Sequence, residues 1–355
     1  MNIPQNYRQY LTSGGSRIFR IPLEAFPRFW VNTYLVMTND SLILLDTGSG
    51  SDISNQGILD GFEWVSSEIG RTVNVNDLTH ILLTHGHIDH MGGLVFLKNI
   101  TKAQVGVHEL DVPAISHHEE QMMMSCSSLD QFMAESGVSS KKREDLLDLY
   151  RLTKSFFHSV PVDFTFEKSG MNCGPLEILH IPGHCPGHVA FSLDDYIFVG
   201  DHVLNGITPH QSPERILPYL GVDHYLDSLS KLNDWVGEYQ LVLSGHDAPI
   251  KDLRSRTHAI QLAIQDRLKQ CLSYFMEPNN LIELTNHLYP QVSGYNALLV
   301  IEKTGAYVEF LYQRGLLDIT NLAGLEAKDQ VPWIYHSNKE KTESFLTKEE
   351  DYVLI

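Results

Sequence analysis

The segment Thr84-His85-Gly86-His87-Ile88-Asp89-His90 limits what this chain can fold into more than any other feature. Three imidazoles and a carboxylate fall within six residues, directly after an apolar run centred on Ile81-Leu82-Leu83. That run, Thr79 to Thr84, reads as a buried strand. A strand end holds its own residue rigidly, and the turn after it fans the next side chains into one cavity. Imidazole and carboxylate donors suit a borderline divalent ion such as zinc, and iron or manganese as well. Gly86 lets the backbone bend between donors, and Gly92-Gly93 let a helix start pack close to them. A histidine-rich surface turn is the bland alternative, but it gives no reason for the apolar strand that feeds the motif.

Other segments fit an α/β chain around this motif. Tyr34 to Met37 and Ser41 to Asp46 flank a turn and read as a hairpin, followed by a helix from Ile53 to Ile69. Residues 111–158 turn helical, with Met122 to Met124, Phe132, Met133, Leu146 and Leu147 among the apolar positions. Strands return at Leu176 to Ile181, Val189 to Leu193 and Tyr196 to Val199, and again at Leu241 to Leu243, which runs into His246. After Arg254 three helices are expected (Thr257 to Phe275, Leu281 to Leu288, Asn296 to Leu311), then a short strand near Trp333. The pattern divides most simply into a strand-rich domain over 1–253 with a helical insertion at 111–158, a helical domain over 254–336, and a charged, mobile tail over 337–355.

Composition narrows the partners. Among 355 residues, 26 Lys plus Arg stand against 44 Asp plus Glu, a formal charge of −18. Such a surface repels a polyphosphate unless a local basic patch intervenes, and duplex nucleic acid, which needs such a patch, is a poor partner. No uncharged apolar run is long enough to span a bilayer, and Met1 to Gly15 lack the apolar core of a secretory signal. The four cysteines form no C-x-x-C pair, as expected of reduced thiols in a cytoplasmic protein.

The H-x-H-x-D-H run resembles the second of five ordered motifs of the metallo-β-lactamase-fold superfamily. The other four also occur in order: Asp46 in Leu45-Asp46-Thr47-Gly48, His184 in Pro182-Gly183-His184-Cys185-Pro186-Gly187-His188, Asp201 in Gly200-Asp201-His202, and His246 in Ser244-Gly245-His246. The resemblance implies a four-layer αββα sandwich that carries two divalent metal ions, zinc foremost. By it, His85, His87 and His184 hold one ion, Asp89, His90 and His246 the other, and Asp201 bridges both. It places Asp46 and His188 beside the metals as groups that orient the ligands. For Asp46 the alternative is a turn carboxylate satisfied by backbone amides, and for His188 a buried, satisfied histidine. His80, His108, His117, His118, His202, His210 and the thiol of Cys185 read as surface or packing residues.

Two ions about 3.5–4 Å apart can share a hydroxide and lower its pKa towards neutrality. The expected reaction is therefore hydrolysis, with Asp89 and Asp201 as the catalytic carboxylates. Departures from particular branches then narrow the substrate. True zinc β-lactamases of this fold carry Cys or Ser where this chain has Asp201. Quorum-signal lactonases carry Tyr where it has Leu204, and the glyoxalase II branch carries Gly-Cys-Gly-Arg where it has Asn205-Gly206-Ile207-Thr208. Flavodiiron proteins carry Glu in place of His87. What remains is a generic branch acting on small carbonyl esters, with a thioester such as an acyl-CoA the leading expectation. Lactone hydrolysis, single-stranded RNA phosphodiester cleavage and a non-catalytic metal-binding module stay open.

The insertion falls where a segment could fold over the metal face. Its Met122-Met123-Met124 run and Phe132-Met133 pair suit an apolar acyl or aromatic group, while an ordinary helical hairpin packed on the sandwich or on a second subunit fits the pattern about as well. The C-terminal helices resemble the winged-helix-like appendage of a branch with thioesterase-like and single-strand ribonuclease members. The helix from Asn296 to Leu311 offers Glu302, Lys303 and Glu309, a poor set for gripping a nucleic acid.

Overall fold

The computed structural model describes residues 6–327 and 331–339, with 341, 342 and 345. Period-two alternation builds its first sheet, seven strands in chain order: β1 (Arg8–Leu11), β2 (Arg17–Phe26), β3 (Phe29–Met37), β4 (Leu42–Leu45), β5 (His80–Leu82), β6 (Gln104–Val107) and β7 (Phe164–Thr165). In β2, Phe19, Ile21, Leu23 and Ala25 join one core and Ile18 the other. In β4, Leu42 and Leu44 face one way and Ile43 and Leu45 the opposite way. One residue of slippage would exchange the two faces, so burial on both sides fixes the register.

The first core lies between this sheet and α1 (Asp52–Ile69), which contributes Ile58, Phe62 and Val65 at helical spacing. Ser51 caps that helix by accepting from Ser54 N, and Gly70 closes it at φ 70°. Two shorter helices follow the histidine motif, α2 (Ile88–Met91) and α3 (Leu94–Ile100), and α3 adds Leu94 and Leu97 to the same core. The second core lies between the sheets. The other sheet runs in the order β12 (Leu241–Ser244), β11 (Tyr196–Gly200), β10 (Val189–Leu193), β9 (Leu176–His180), β8 (Asn172–Cys173). It packs Ile178, Phe191, Phe198 and Leu243 against Tyr34, Val36, Ile43 and Leu82. These layers are those of the expected αββα sandwich.

Strand direction decides where the chemistry goes. β4 runs parallel to β5 and β11 parallel to β12, with Leu45 opposite Leu82 and Gly200 opposite Ser244. Asp46, His85, Asp201 and His246 all come within three residues of those strand ends. Hydrogen bonds join the two sheets at the same edge: Asn32 N donates to Gly245 O at 2.6 Å, Tyr34 Oη to Ser244 O at 2.6 Å, and Val189 N to Thr84 O at 2.8 Å.

The chain groups into two compact units, and it does so differently from a single cut near Leu253. The first comprises residues 1–121, 154–209 and 228–256, and the second 122–153, 210–227 and 257 onward. The helical stretch expected at 111–158 is thereby divided: α4 (Val112–Ser116) belongs with the sandwich, whereas most of α5 (His118–Glu135) and α6 (Ser140–Lys154) belong with the C-terminal helices. α7 (Val222–Trp235) and α8 (Leu253–Tyr274) each begin in one unit and continue in the other. α9 (Leu281–Leu288), α10 (Tyr295–Gln313) and an antiparallel pair, β13 (Leu317–Ile319) with β14 (Tyr335–Ser337), complete the second unit.

Two expectations are corrected in this unit. Phe132 and Met133, read as pocket-lining residues, are buried in its interior, where the Phe132 ring sits against Gly305 and Pro213 approaches the same glycine. The charged tail expected from 337 does not start there. Ser337 pairs with Leu317, and Thr342 and Phe345 are buried, because Phe345 supplies an apolar anchor within the charged stretch. The last ten residues of that stretch lie outside the described residues. Among the described residues no helix is long and apolar enough to cross a membrane. All four cysteines are free and buried.

Candidate metal centre

Two groups of donors assemble where the strand-end loops meet. The donor atoms of His85, His87 and His184 lie within 4.8 Å of one another, and so do those of Asp89, His90, Asp201 and His246. Asp201 connects the groups. Its Oδ2 is 3.1 Å from His246 Nε2 and 3.9 Å from His184 Nε2, and its Oδ1 is 3.4 Å from His90 Nε2. Asp89 Oδ2 lies 3.4 Å from His246 Nε2 and 3.6 Å from His90 Nε2. All seven residues named from the motifs are therefore brought to one place.

Local backbone contacts hold the motif there. Asp89 and His90 sit in the single turn of α2, and the His90 carbonyl accepts from Thr47 N at 2.6 Å and Thr47 Oγ1 at 2.8 Å. A Cβ on Gly93 would run into the Thr47 carbonyl, and one on Gly92 into that of Ser49. Close approach of two backbones, not a special φ, is what these glycines permit.

Hydrogen bonds on the outer ring nitrogens turn Nε2 inward on three of the histidines. His90 Nδ1–H donates to Asp46 Oδ2 at 2.9 Å, His85 Nδ1–H to Thr84 Oγ1 at 2.9 Å, and His246 Nδ1–H to the Trp30 carbonyl at 2.5 Å. Thr84 passes the chain on, its hydroxyl donating to Asp46 Oδ2 and its amide to Asp46 Oδ1, both at 2.8 Å. Asp46, held at φ 61°, thus serves both a backbone amide and two side chains at the centre. His188 Nε2 accepts from Asp201 N at 3.1 Å, and its ring stacks on that of His85 with centroids 4.7 Å apart. These contacts fix tautomer and ring orientation, as the outer partners of metal-binding histidines do.

The inward atoms are what a metal pair would need. His85 Nε2 is buried and makes no hydrogen bond, and the buried His90 Nε2 and Asp201 Oδ1 meet only each other, as an ion pair at 3.4 Å. Leaving buried polar atoms unsatisfied costs about 1–3 kcal/mol each, so their convergence on one space fits cations that would accept their lone pairs.

Electrostatics differ between the two groups. Burial holds the imidazoles of His85 and His87 well below their usual range, helped by His90 for the former and His184 for the latter. Burial also opposes charge on His90 and His246, but Asp201 and Asp89 outweigh it. They hold His90 well above its usual range and push His246 up to about 10. In return, the imidazoles of His90 and His246 overcome burial and keep the carboxyls of Asp89 and Asp201 well below the ordinary carboxylate range. Without metal, His85 and His87 are neutral, whereas His90 and His246 are protonated within a buried ion-pair network.

One buried carboxylate here has no sequence signal. Asp111, 2% exposed, accepts from Gly86 N at 2.7 Å and Gly187 N at 2.8 Å, with Cys185 Sγ 3.4 Å away. Burial pushes its carboxyl up to about 6, against the pull of those amides. In the sequence it was only the first residue of a helical stretch. Of the other histidines, His108 stacks on His180 and contacts Glu167, His118 bonds the Ala114 and Lys154 carbonyls, and His202 is fully buried beside His188.

Comparison with known proteins agrees with this geometry. A probable metallo-hydrolase of Bacillus subtilis, YqgX, is 27% identical over 61% of this chain and 84% of its own length. A second from the same organism, YqjP, is 23% identical over 79% and 87%. Among solved structures, a metallo-beta-lactamase family protein of Thermus thermophilus shares the fold with a TM-score of 0.70 at 23% identity, covering 90% of this chain and 98% of that one. Residues 28–265 match the sequence profile of the metallo-beta-lactamase superfamily, a span that takes in every donor described above. The chain belongs to the metallo-beta-lactamase superfamily.

Proposed function

We propose that the protein is a dinuclear metal-dependent hydrolase of small carbonyl esters, with thioesters such as acyl-CoA its leading substrates. One observation carries the reading: Asp201 stands between a three-imidazole group and a mixed carboxylate–imidazole group, within 3.1 Å of His246 Nε2 and 3.9 Å of His184 Nε2. His85, His87 and His184 would hold one ion, Asp89, His90 and His246 the other, and Asp201 both. Zinc suits this donor set first, with iron and manganese as alternatives. A bound pair supplies Lewis acidity and a water acidic enough to ionise near neutral pH.

The chain's own residues prepare the rest. Asp46, Thr84 and the Trp30 carbonyl orient the donor imidazoles, and His188 positions the Asp201 backbone. Asp89 stays ionised because His90 and His246 face it, so its carboxylate is available as an anionic donor to a metal ion. The carbonyl-ester reading is supported by relatives whose names describe hydrolysis at an acyl carbon. A hydroxyacylglutathione hydrolase of Shewanella is 30% identical over 35% of this chain, and an N-acyl homoserine lactonase of Bacillus thuringiensis is 25% identical over 60%. The charge of −18 weighs against phosphodiester polymers and against anionic membrane surfaces, and fits a cytoplasmic small-molecule enzyme. A homodimer is compatible with this reading.

The test is a panel of an acyl-CoA thioester, an acyl lactone and bis-p-nitrophenyl phosphate, given to metal-loaded protein with and without chelator. Chelator-sensitive turnover of the thioester above the others is expected. Turnover confined to the phosphodiester would replace the reading with a phosphodiesterase. No turnover of any of them, with two ions bound, would leave a non-catalytic metal-binding module.

A further inference from the structure

The buried carboxylate of Asp111 sits outside the donor set, yet it holds the two loops that carry one entire donor group. Its Oδ2 accepts from Gly86 N at 2.7 Å, and Gly86 lies between His85 and His87. Its Oδ1 accepts from Gly187 N at 2.8 Å, three residues beyond His184, while Cys185 Sγ approaches both oxygens at 3.4 and 3.5 Å. The first loop leaves β5 of one sheet and the second joins β9 to β10 of the other. Asp111 reaches both because it ends the short turn of helix after β6, the strand beside β5. Packing is equally tight: a Cβ on Gly187 would lie 2.5 Å from Asp111 Cγ and 2.7 Å from its Oδ1, and one on Gly86 3.3 Å from Cγ.

Among the described residues no hydrogen bond joins Asp111 to the mixed group directly, and its one link there is indirect, through Gly187 to His188, which accepts from Asp201 N. Asp89, His90, Asp201 and His246 are held through Asp46, His188 and the Trp30 carbonyl. We infer that Asp111 is a positioning residue that clamps the His85–His87 loop to the His184 loop and thereby sets the affinity of the three-histidine site more than that of the mixed site. The inference rests on the reading of the centre as a metal site.

Asn at this position tests the clamp with almost no change of shape. A carboxylate offers an acceptor oxygen to each amide, but a carboxamide offers one oxygen and one NH2. Either Gly86 N or Gly187 N then faces a donor, and the loops lose their common anchor.

The experiment titrates metal-free protein with zinc alone against a competing chelator, on wild type, Asp89→Ala, Asp111→Asn and the double variant, with thermal melts of each metal-free form. Wild type should bind two ions, and Asp89→Ala should keep the three-histidine ion. Asp111→Asn should weaken one of the two sites by about 10–100-fold, as loss of outer partners does at other metal sites. The double variant should show that same loss on its remaining ion, which identifies the site. If Asp111→Asn fails to fold, Gly187→Ala presses on the clamp from the other side and should produce the same selective loss. Two unchanged affinities in a folded Asp111→Asn or Gly187→Ala protein would overturn the clamp while leaving the metal centre standing, as would equal weakening of both sites. Wild type that binds no zinc would overturn the metal reading itself, and the clamp with it.

Discussion

Asp46 Oδ2 accepts from His90 Nδ1 at 2.9 Å and from the Thr84 hydroxyl at 2.8 Å, so one carboxylate oxygen links both donor groups. Thr84 in turn accepts from His85 in the three-histidine group, whereas His90 belongs to the mixed group. Asp46→Asn keeps the size of the side chain but turns one acceptor into a donor. Metal affinity should fall by about 10–100-fold at both sites, and the metal-free melt should lose about 1–3 kcal/mol. Chelator competition and thermal denaturation together check this, and a loss confined to one site would contradict the shared role.

Metal binding should release protons, and mainly from the mixed group. His246 is pushed up from 6.5 to about 10 in the metal-free protein, so its ion pair stabilises the fold fully below about pH 6.5 and fades as pH rises through 10. A metal ion needs the neutral imidazole and must displace that proton anywhere in this window. His85 and His87 are already neutral at neutral pH and have no imidazolium proton to release. Affinity at the mixed site should therefore climb with pH between 6 and 8.5 while the three-histidine site changes little. Calorimetry in buffers of different ionisation enthalpy would count the protons directly.

Asp89→Ala should lose most turnover and still melt cooperatively. The carboxylate contributes to one donor group only, and Asp201 still faces both His90 and His246 when it is removed. Activity near that of wild type would move the catalytic assignment away from this residue.

The methionine run should affect substrate choice without affecting stability. Met123 and Met124 are 72% and 66% exposed, so replacing Met122 to Met124 with Ser should shift the melt by less than about 1 kcal/mol. KM for long acyl substrates should rise more than KM for short ones. An equal change on both would assign the run to packing or association.

Single-stranded RNA should be neither bound in a salt-sensitive way nor cut. Nucleic-acid affinity comes largely from Lys and Arg that neutralise phosphates. In α10 the aromatic rings of Tyr307 and Phe310 are buried, Glu309 accepts from the amides of Glu214 and Arg215, and burial pushes the Lys303 amine down to about 8. A gel-shift and cleavage assay at low salt checks this. Retarded bands with metal-dependent cuts would promote the phosphodiesterase.

The seven donors were legible because each follows an apolar strand or a Pro-Gly turn, and strand order brings such ends together. Their orienting partners were only half legible. Asp46 and His188 lie in motifs, but the Trp30 carbonyl is a backbone atom, and its sequence position 216 residues from His246 says nothing of their contact. Asp111 lies between a short strand and a short helix, where no periodicity marks it, and its two partners are glycine amides. Phe132 and Met133 misled for the opposite reason: apolar character alone does not distinguish a pocket wall from a core. β6, four residues flanked by parallel neighbours, was too short to stand out from the helices around it.

The donors are also split between the sheets, four on the loop after β5 and three on loops of the other sheet. The three-histidine group spans His85 to His184 and the mixed group Asp89 to His246, so neither is complete within one loop. During synthesis the first four donors leave the ribosome long before the last, and the mixed group cannot close until β12, which carries His246 at its end, has paired with β11. An ion held by the mixed group would therefore report a finished sandwich, because its last donor arrives only with the last strand of the second sheet.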